Sequence, residues 1–290
     1  MNDRARQPVD RYFSCDGLML HYAEWGDPAQ DTLILVHSNR DHSRSWDFFV
    51  AALLAQASRP LHIVALDLRG HGDSGWAHPE RGYRHEDFLV DLAGLVRHLG
   101  KESCALIGHS LGGSPAMLFA GVFPAQVRKL IMIESTGPYA RSDEEVPRLL
   151  AQWLEGSGEK AQKSFYSTVA EAAKAIQNRF PKIPNEAAFH MARFGTRTTD
   201  EGLAWKYDPK LRFRPLSSFS ENQVQAFIQR IDCPGLLICG SEGEFKRSPH
   251  LSRAGLFSNL RVVEMSGAGH HVPHEKPGEL AEVIYLFLCD

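Results

Sequence analysis

Short apolar runs, several of them nearly unbroken, recur at 32–37, 61–66, 103–109, 127–134 and 235–240, with a more mixed one at 260–265. Runs of this length without alternation mark strands buried on both faces of a parallel sheet. Between them, apolar residues fall at three- and four-residue spacing. Trp46, Phe49, Val50, Leu53 and Leu54 share one helical face, as do Phe88, Leu89, Leu92, Leu95, Val96 and Leu99. Leu280, Val283, Ile284, Leu286 and Phe287 close the chain in the same way. The alternation predicts a right-handed, mostly parallel α/β sheet. Ahead of it, strand-like residues on either side of Asp16-Gly17 predict a β-hairpin.

The rhythm breaks at 137–230. There Val146, Leu149, Leu150, Trp153 and Leu154, then Val169, Ala172, Ala175 and Ile176, then Ala188, Met191 and Ala192 sit at helical spacing with prolines between. This predicts a helical lid inserted into a core made of 1–136 and 231–290. Residues 195–202 read as a loop placed to gate access. Loops at the carboxyl ends of parallel strands form the ligand crevice, so Ser38, Ser110, Glu134, Glu242 and the loop after Met265 are expected to converge.

Composition narrows the function. The chain has 290 residues, 43% of them hydrophobic, with a formal net charge of −3 and mixed signs throughout. That supports a large core and argues against a nucleic-acid face or a polybasic membrane anchor. No run reaches the ~20 apolar residues of a membrane span, and the polar first residues lack a signal-peptide core, so the expected location is cytoplasmic. Five cysteines without metal-type spacing predict neither a disulfide framework nor a metal site. His37, Asp41 and His42 have suitable residue types for a metal, but not a recognised ligand spacing. No phosphate cradle is present, and the expectation is no cofactor.

The densest chemical signal is Gly108-His109-Ser110-Leu111-Gly112-Gly113, directly after an apolar strand and before Ala116, Met117, Leu118, Phe119 and Ala120 at helical spacing. A strand that turns straight into a helix forces the apex serine toward positive φ, and Gly108 and Gly112 leave room for the bend. The serine hydroxyl would then stand above the sheet edge beside a helix N-terminus. A serine needs an imidazole to take its proton, and that imidazole must be neutral to do so.

Taken with His37-Ser38-Asn39, the loop 67–74, and Gly267-Ala268-Gly269-His270 followed by Glu275 and Pro277, the elbow makes the chain from Phe13 onward resemble the α/β-hydrolases with a lid. The resemblance implies an eight-stranded, mostly parallel sheet with helices on both faces and a helical lid after strand six. It implies Ser110 as nucleophile and His270 as base, with His271 and His274 as rivals nearby. His109 is read as packing, pointing away from the serine. The family usually places an aspartate three residues after the glycine that ends the next-to-last strand, and Gly243 stands there. Glu134, the position used in relatives resembling haloalkane dehalogenases, is the favoured acid; Glu242 and then Glu244 are the alternatives. The backbone N–H groups of Leu111 and Asn39 are the implied oxyanion donors, with Ser38 where the family usually has glycine.

These features predict a cofactor-independent serine hydrolase, carboxylesterase-like, that cleaves a small or medium apolar ester through an acyl-enzyme. Hydrolysis of a C–C bond on the same fold and a weakly catalytic ligand receptor or signalling protein are the alternatives. Dehalogenases and epoxide hydrolases of this family use an aspartate nucleophile, and Ser110 argues against both. Trp153, Phe165, Tyr166, Phe180, Phe189, Phe194, Trp205, Tyr207 and Phe213 are the lid aromatics available to line a pocket or to pack the lid. Lys160, Lys163, Lys174, Lys182 and Arg193 read as solvated faces. The partner is a small-molecule ester, and a homodimer is left open.

Overall fold

The computed structural model describes residues 7–78, 82–140, 142, 144–156, 164–212 and 219–290, the side chains of 152–154 and 156 excepted. β1 (Val9–Cys15) and β2 (Leu18–Gly26) form the hairpin, turning at Asp16 and Gly17, both at positive φ (50° and 75°). Such a turn matches the twist of the flanking strands and favours the Asp-Gly pair. Then follow β3 (Thr32–Val36), α1 (Asp47–Gln56), β4 (His62–Leu66), α2 (His85–Leu99), β5 (Cys104–His109), α3 (Gly113–Val122) and β6 (Val127–Ile133).

The next stretch holds α4 (Glu145–Gly156), β7 (Phe165–Tyr166), α5 (Val169–Arg179), α6 (Asn185–Gly195), β8 (Thr196–Thr199), β9 (Gly202–Trp205) and α7 (Glu221–Ile228). β10 (Gly235–Gly240), β11 (Leu260–Met265), α8 (Val272–Glu275) and α9 (Pro277–Cys289) complete the chain. The main sheet has eight strands in the order β1-β2-β4-β3-β5-β6-β10-β11. Only the pairings of β2 are antiparallel; the other five are parallel.

The unbroken apolar runs are explained by burial on both faces. On one side Ile34, Leu106, Leu130 and Leu237 pack with Phe88, Leu92, Phe119 and Val224; on the other Leu35, Ile107, Ile131 and Ile238 pack with Phe49, Leu53, Leu280 and Ile284. β11 is an edge strand with Val262 half exposed, which accounts for its mixed pattern. α7 packs on α3, where the missing side chain of Gly121 admits the Phe227 carbonyl.

Between β6 and β10 the structure departs from an all-helical insertion. β7, β9 and β8 form a small antiparallel sheet, and 196–205 is a hairpin rather than a gating loop. β-branched Thr196, Thr198 and Thr199 favour extended backbone, and Gly202 supplies the positive φ (117°) that starts the return strand. α5 and α6 share a core of Ala172, Ala173, Ile183, Ala188 and Ala192. α6 is tied to the loop after β3 by His42 Nε2, which donates to the Met191 carbonyl (2.9 Å), and by His190 Nε2, which donates to the Arg44 carbonyl (3.0 Å). Phe213, Lys160, Lys163 and the Trp153 side chain lie outside the described residues.

Candidate active site

The turn at the end of β5 has the geometry its glycines require. Ser110 sits at φ 51°. A Cβ at Gly108 would lie 2.4 Å from the Gly112 carbonyl oxygen, and one at Gly112 would lie 2.2 Å from that of Val36. Both positions are therefore closed to any larger residue, and the elbow rests against the end of β3.

Ser110 Oγ and His270 Nε2 are 2.9 Å apart, and His270 Nδ1 is 3.0 Å from Glu134 Oε2. The second carboxylate oxygen of Glu134 accepts from the Gly240 N–H (2.7 Å), and the Glu134 side chain is fully buried. Glu134 lies one residue past β6 and holds φ 54°, an uncommon backbone for a non-glycine residue that turns its side chain toward the imidazole. With Glu134 accepting at Nδ1, the hydroxyl is the donor to Nε2, the arrangement in which a serine can lose its proton to an imidazole.

Glu242 and Glu244 do not reach His270. Glu242 is exposed and pairs with Lys182 Nζ (2.6 Å), which also donates to the Gly267 carbonyl (3.0 Å); Lys182 is thus a tie from the α5–α6 segment, not a free solvated face. Glu244 is exposed.

The backbone of His270 is held from three directions. Glu275 accepts from the N–H groups of Gly269 (2.6 Å) and His271 (3.1 Å), and His109 Nε2 donates to the His270 carbonyl (2.8 Å). His109 thus points away from the serine hydroxyl and braces His270 from behind. Its imidazole is pushed down to about 3, first by burial and then by the neighbouring His270 and His274, so it stays neutral with its proton on Nε2.

His271 is buried against Phe180, their rings 4.0 Å apart, and neither of its ring nitrogens has a partner among the described residues. His274 Nε2 donates to buried Asp41 (3.0 Å). Neither rival imidazole is bonded to Ser110. Among the described residues, two groups bring metal-ligating atoms within 4.8 Å of one another: His109, His271 and His274, and His21, Asp67 and Asp73. In the second group Asp67 accepts from His21 Nδ1 (2.7 Å) and the Asp73 N–H (2.9 Å), bonds that hold the loop 67–75 to β2. His37, Asp41 and His42 do not gather: His37 Nδ1 donates to the Ser38 carbonyl (2.7 Å), while His42 and Asp41 turn to Met191 and His274.

A cavity of 430 Å³ reaches Ser110, Leu111 and Glu134, and Asn39 lines it too. A neighbouring one of 420 Å³ is lined by Ile176 and by Tyr166, Phe180, Trp205 and Tyr207, the aromatics of 137–230 that face open space. Phe165 lines an adjoining space of 210 Å³ that shares Trp205 and Tyr207 with it and does not reach Ser110; Phe189 is half exposed and Phe194 packs at a tilt on His190. Arg40, Arg179 and Arg212 line both larger cavities, a clustering that the sequence did not announce.

The strand order and the elbow match a known architecture. The model of the alpha/beta hydrolase family matches residues 33–283. The chain belongs to the alpha/beta hydrolase family. It is 28% identical over 237 residues to the 2-(acetamidomethylene)succinate hydrolase of Mesorhizobium japonicum, covering 81% of each chain. It is 32% identical over 286 residues to human epoxide hydrolase 4, covering 94% of this chain and 76% of that one. The thioesterase domain from the curacin biosynthetic pathway superposes with a TM-score of 0.85 at 24% identity, covering 96% of this hydrolase-family chain and 99% of the other, a likeness of fold. Among the described residues no helix is long and apolar enough to cross a membrane.

Proposed function

We propose that the chain is a serine hydrolase that cleaves a carboxylic ester through an acyl-enzyme, with Ser110 as nucleophile, His270 as base and Glu134 as its carboxylate partner. The observation that carries this reading is the continuous hydrogen-bonded series from Ser110 Oγ through both nitrogens of His270 to the buried Glu134 carboxylate. Ser110 Oγ attacks the ester carbonyl as its proton passes to His270 Nε2. The oxyanion is held by the backbone N–H groups of Leu111 and Asn39, which belong to residues lining the serine's cavity.

Collapse of the adduct breaks the ester C–O bond, and the imidazolium returns its proton to the departing alkoxide. Water then attacks the acyl-serine and gives a proton to Nε2; collapse breaks the acyl C–Oγ bond, the imidazolium returns that proton to Ser110 Oγ, and the acid leaves. Glu134 holds the imidazole in the tautomer with Nδ1 protonated and stabilises its charged form. We place a cap within residues 137–230, with α5, α6 and the three-stranded sheet over the cavity; Tyr166, Phe180 and Trp205 offer its apolar part.

An epoxide substrate, which the human relative's name suggests, is disfavoured by Ser110, since epoxide hydrolases of this family use an aspartate there. A fluorophosphonate probe tests the reading: it labels Ser110 in the wild-type chain and leaves Ser110→Ala unlabelled. Folded wild-type protein that stays unlabelled and leaves p-nitrophenyl esters of rising chain length intact would overturn it.

A further inference from the structure

The two larger cavities meet at one cluster of charge. Asn39, Arg40, Arg179 and Arg212 line both the 430 Å³ space in front of Ser110 and the adjoining 420 Å³ space. The three arginines come from distant elements: Arg40 from the loop after β3, Arg179 from the last position of α5, and Arg212 from the short helical turn Pro209–Arg212. Arg40 holds φ 60°, a backbone that non-glycine residues seldom adopt, and it directly follows Asn39. Its guanidinium lies 5.9 Å from the centre of the Tyr207 ring. Arg179 lies against Phe180 in the same way, at 5.1 Å.

Two of these cations, Arg40 and Arg179, are in no ion pair among the described residues. Burial lowers the pKa of Arg40, and the charges of Arg179 and Arg212 lower it further, so the three stand near enough to repel one another. The carboxylates that line the two cavities are already engaged, Glu134 with His270 and Asp41 with His274. Lys206, also on the wall, pairs with Asp73 (2.7 Å). Arg40 is half-buried and Arg179 and Arg212 are exposed; like charges gathered at the walls of one cleft raise the local positive potential and favour an incoming anion. Guanidinium groups suit an oxyanion because their N–H fork donates two parallel bonds to it.

We infer that the ester cleaved at Ser110 carries a second, anionic group, a carboxylate or comparable oxyanion, which Arg40 and Arg179 hold with Arg212 beside them. This rests on the serine-hydrolase reading and replaces a wholly apolar substrate with a short half-ester of a dicarboxylic acid. Arg40 follows the proposed oxyanion donor in the chain, so the anion lies close to the scissile carbonyl, while the aromatic lobe takes the remaining apolar part.

The test compares monoethyl glutarate with ethyl pentanoate, which has the same chain length without the charge, and with an ethyl ester ending in a phosphonate. The expected result is a kcat/KM at least about tenfold higher for an anionic ester, expressed mainly in KM and weakened by salt. Preference for the carboxylate or for the phosphonate decides which oxyanion the cradle fits. Arg179→Gln, at the exposed end of α5, lowers the anionic-to-neutral ratio about tenfold or more, and Arg179→Lys retains part of it.

Calorimetric binding of monoethyl glutarate to Ser110→Ala separates the cradle from catalysis. Binding that Arg179→Gln weakens about tenfold in that background supports the cradle even if no ester is turned over and no probe labels Ser110, a result that would sink the hydrolase reading alone. Equal turnover of charged and neutral esters, or binding that is indifferent to Arg179, overturns the cradle and leaves the hydrolase reading standing.

Discussion

The carboxylate of Glu134 occupies the space that a side chain at Gly243 would fill: a Cβ there would lie 2.5 Å from Oε2 and 2.6 Å from Oε1 of Glu134. The loop after β10, where the family usually carries its acid, is thus bare at the position that a carboxylate from β6 needs. Both substitutions are expected to damage the same function. Glu134→Gln keeps the shape but loses the charge that fixes the imidazole, and kcat for an ester falls by about 10²–10⁴. Gly243→Ala pushes the carboxylate off His270 and lowers kcat by about tenfold or more. Because both act on one contact, the double variant is scarcely slower than Glu134→Gln alone. Steady-state kinetics of the three variants check this, and additive losses would separate Gly243 from the acid.

Strain at the elbow gives a second expectation. Ser110 holds φ 51°, which costs a non-glycine residue roughly 1–2 kcal/mol. Ser110→Gly and Ser110→Ala both abolish ester turnover, but only glycine relieves the backbone. Thermal melts are therefore expected to place Ser110→Gly above Ser110→Ala by about 2 °C or more, given the size of the chain. Equal midpoints would mean that the surrounding packing, and not the φ angle, sets the local energy.

The sheet was legible because parallel strands buried on both faces leave unbroken apolar runs, and the elbow because Gly108 and Gly112 admit no larger residue. The carboxylate partner was legible only as a preference for Glu134 over Glu242 and Glu244, since all three follow strands whose ends meet. Only the three-dimensional arrangement distinguishes a buried Glu134 from a Glu242 paired with Lys182. The small sheet escaped notice because Phe165–Tyr166 is two residues long, too short to show alternation. Arg40, Arg179 and Arg212 lie far apart in the chain and share no motif, so nothing in the sequence joined them; the fold brings them to the walls of the two larger cavities.

Glu275 touches neither Ser110 nor the His270 ring, yet it receives the N–H groups on either side of His270. It acts as a positioning residue. Glu275→Ala leaves two backbone donors unsatisfied and frees the loop, so kcat is expected to fall about tenfold or more while KM changes little. Glu275→Gln keeps one acceptor oxygen and restores part of the rate. A change confined to KM, or a loss of rate that tracks loss of folded protein, would remove Glu275 from the machinery that sets the base.

Buried histidines predict acid sensitivity of the fold itself. Burial, reinforced by His37, pushes His71 down to about 3, and burial alone pushes His85 down to about 4. Both are neutral in the native state, whereas in the unfolded chain they titrate near 6.5. Between about pH 6.5 and pH 4 the unfolded chain therefore binds protons that the native one does not, and stability falls as pH falls. At pH 5 each histidine contributes a loss of roughly 2 kcal/mol. His21 works in the opposite sense: burial alone would lower it, but the hydrogen bond and charge of Asp67 outweigh that and raise it, so its contribution is present below pH 6.5 and lost above. His42, His62, His109, His250 and His271 are lowered by burial as well, so the lowered histidines outweigh His21 and leave a net loss. Melting midpoints at pH 7.5 and pH 5 are expected to differ by several degrees, and His85→Leu, which removes a ring whose Nδ1 has no partner among the described residues, narrows the gap. A gap of the same width in His85→Leu would mean that His85 takes up its proton in the native state as readily as in the unfolded one.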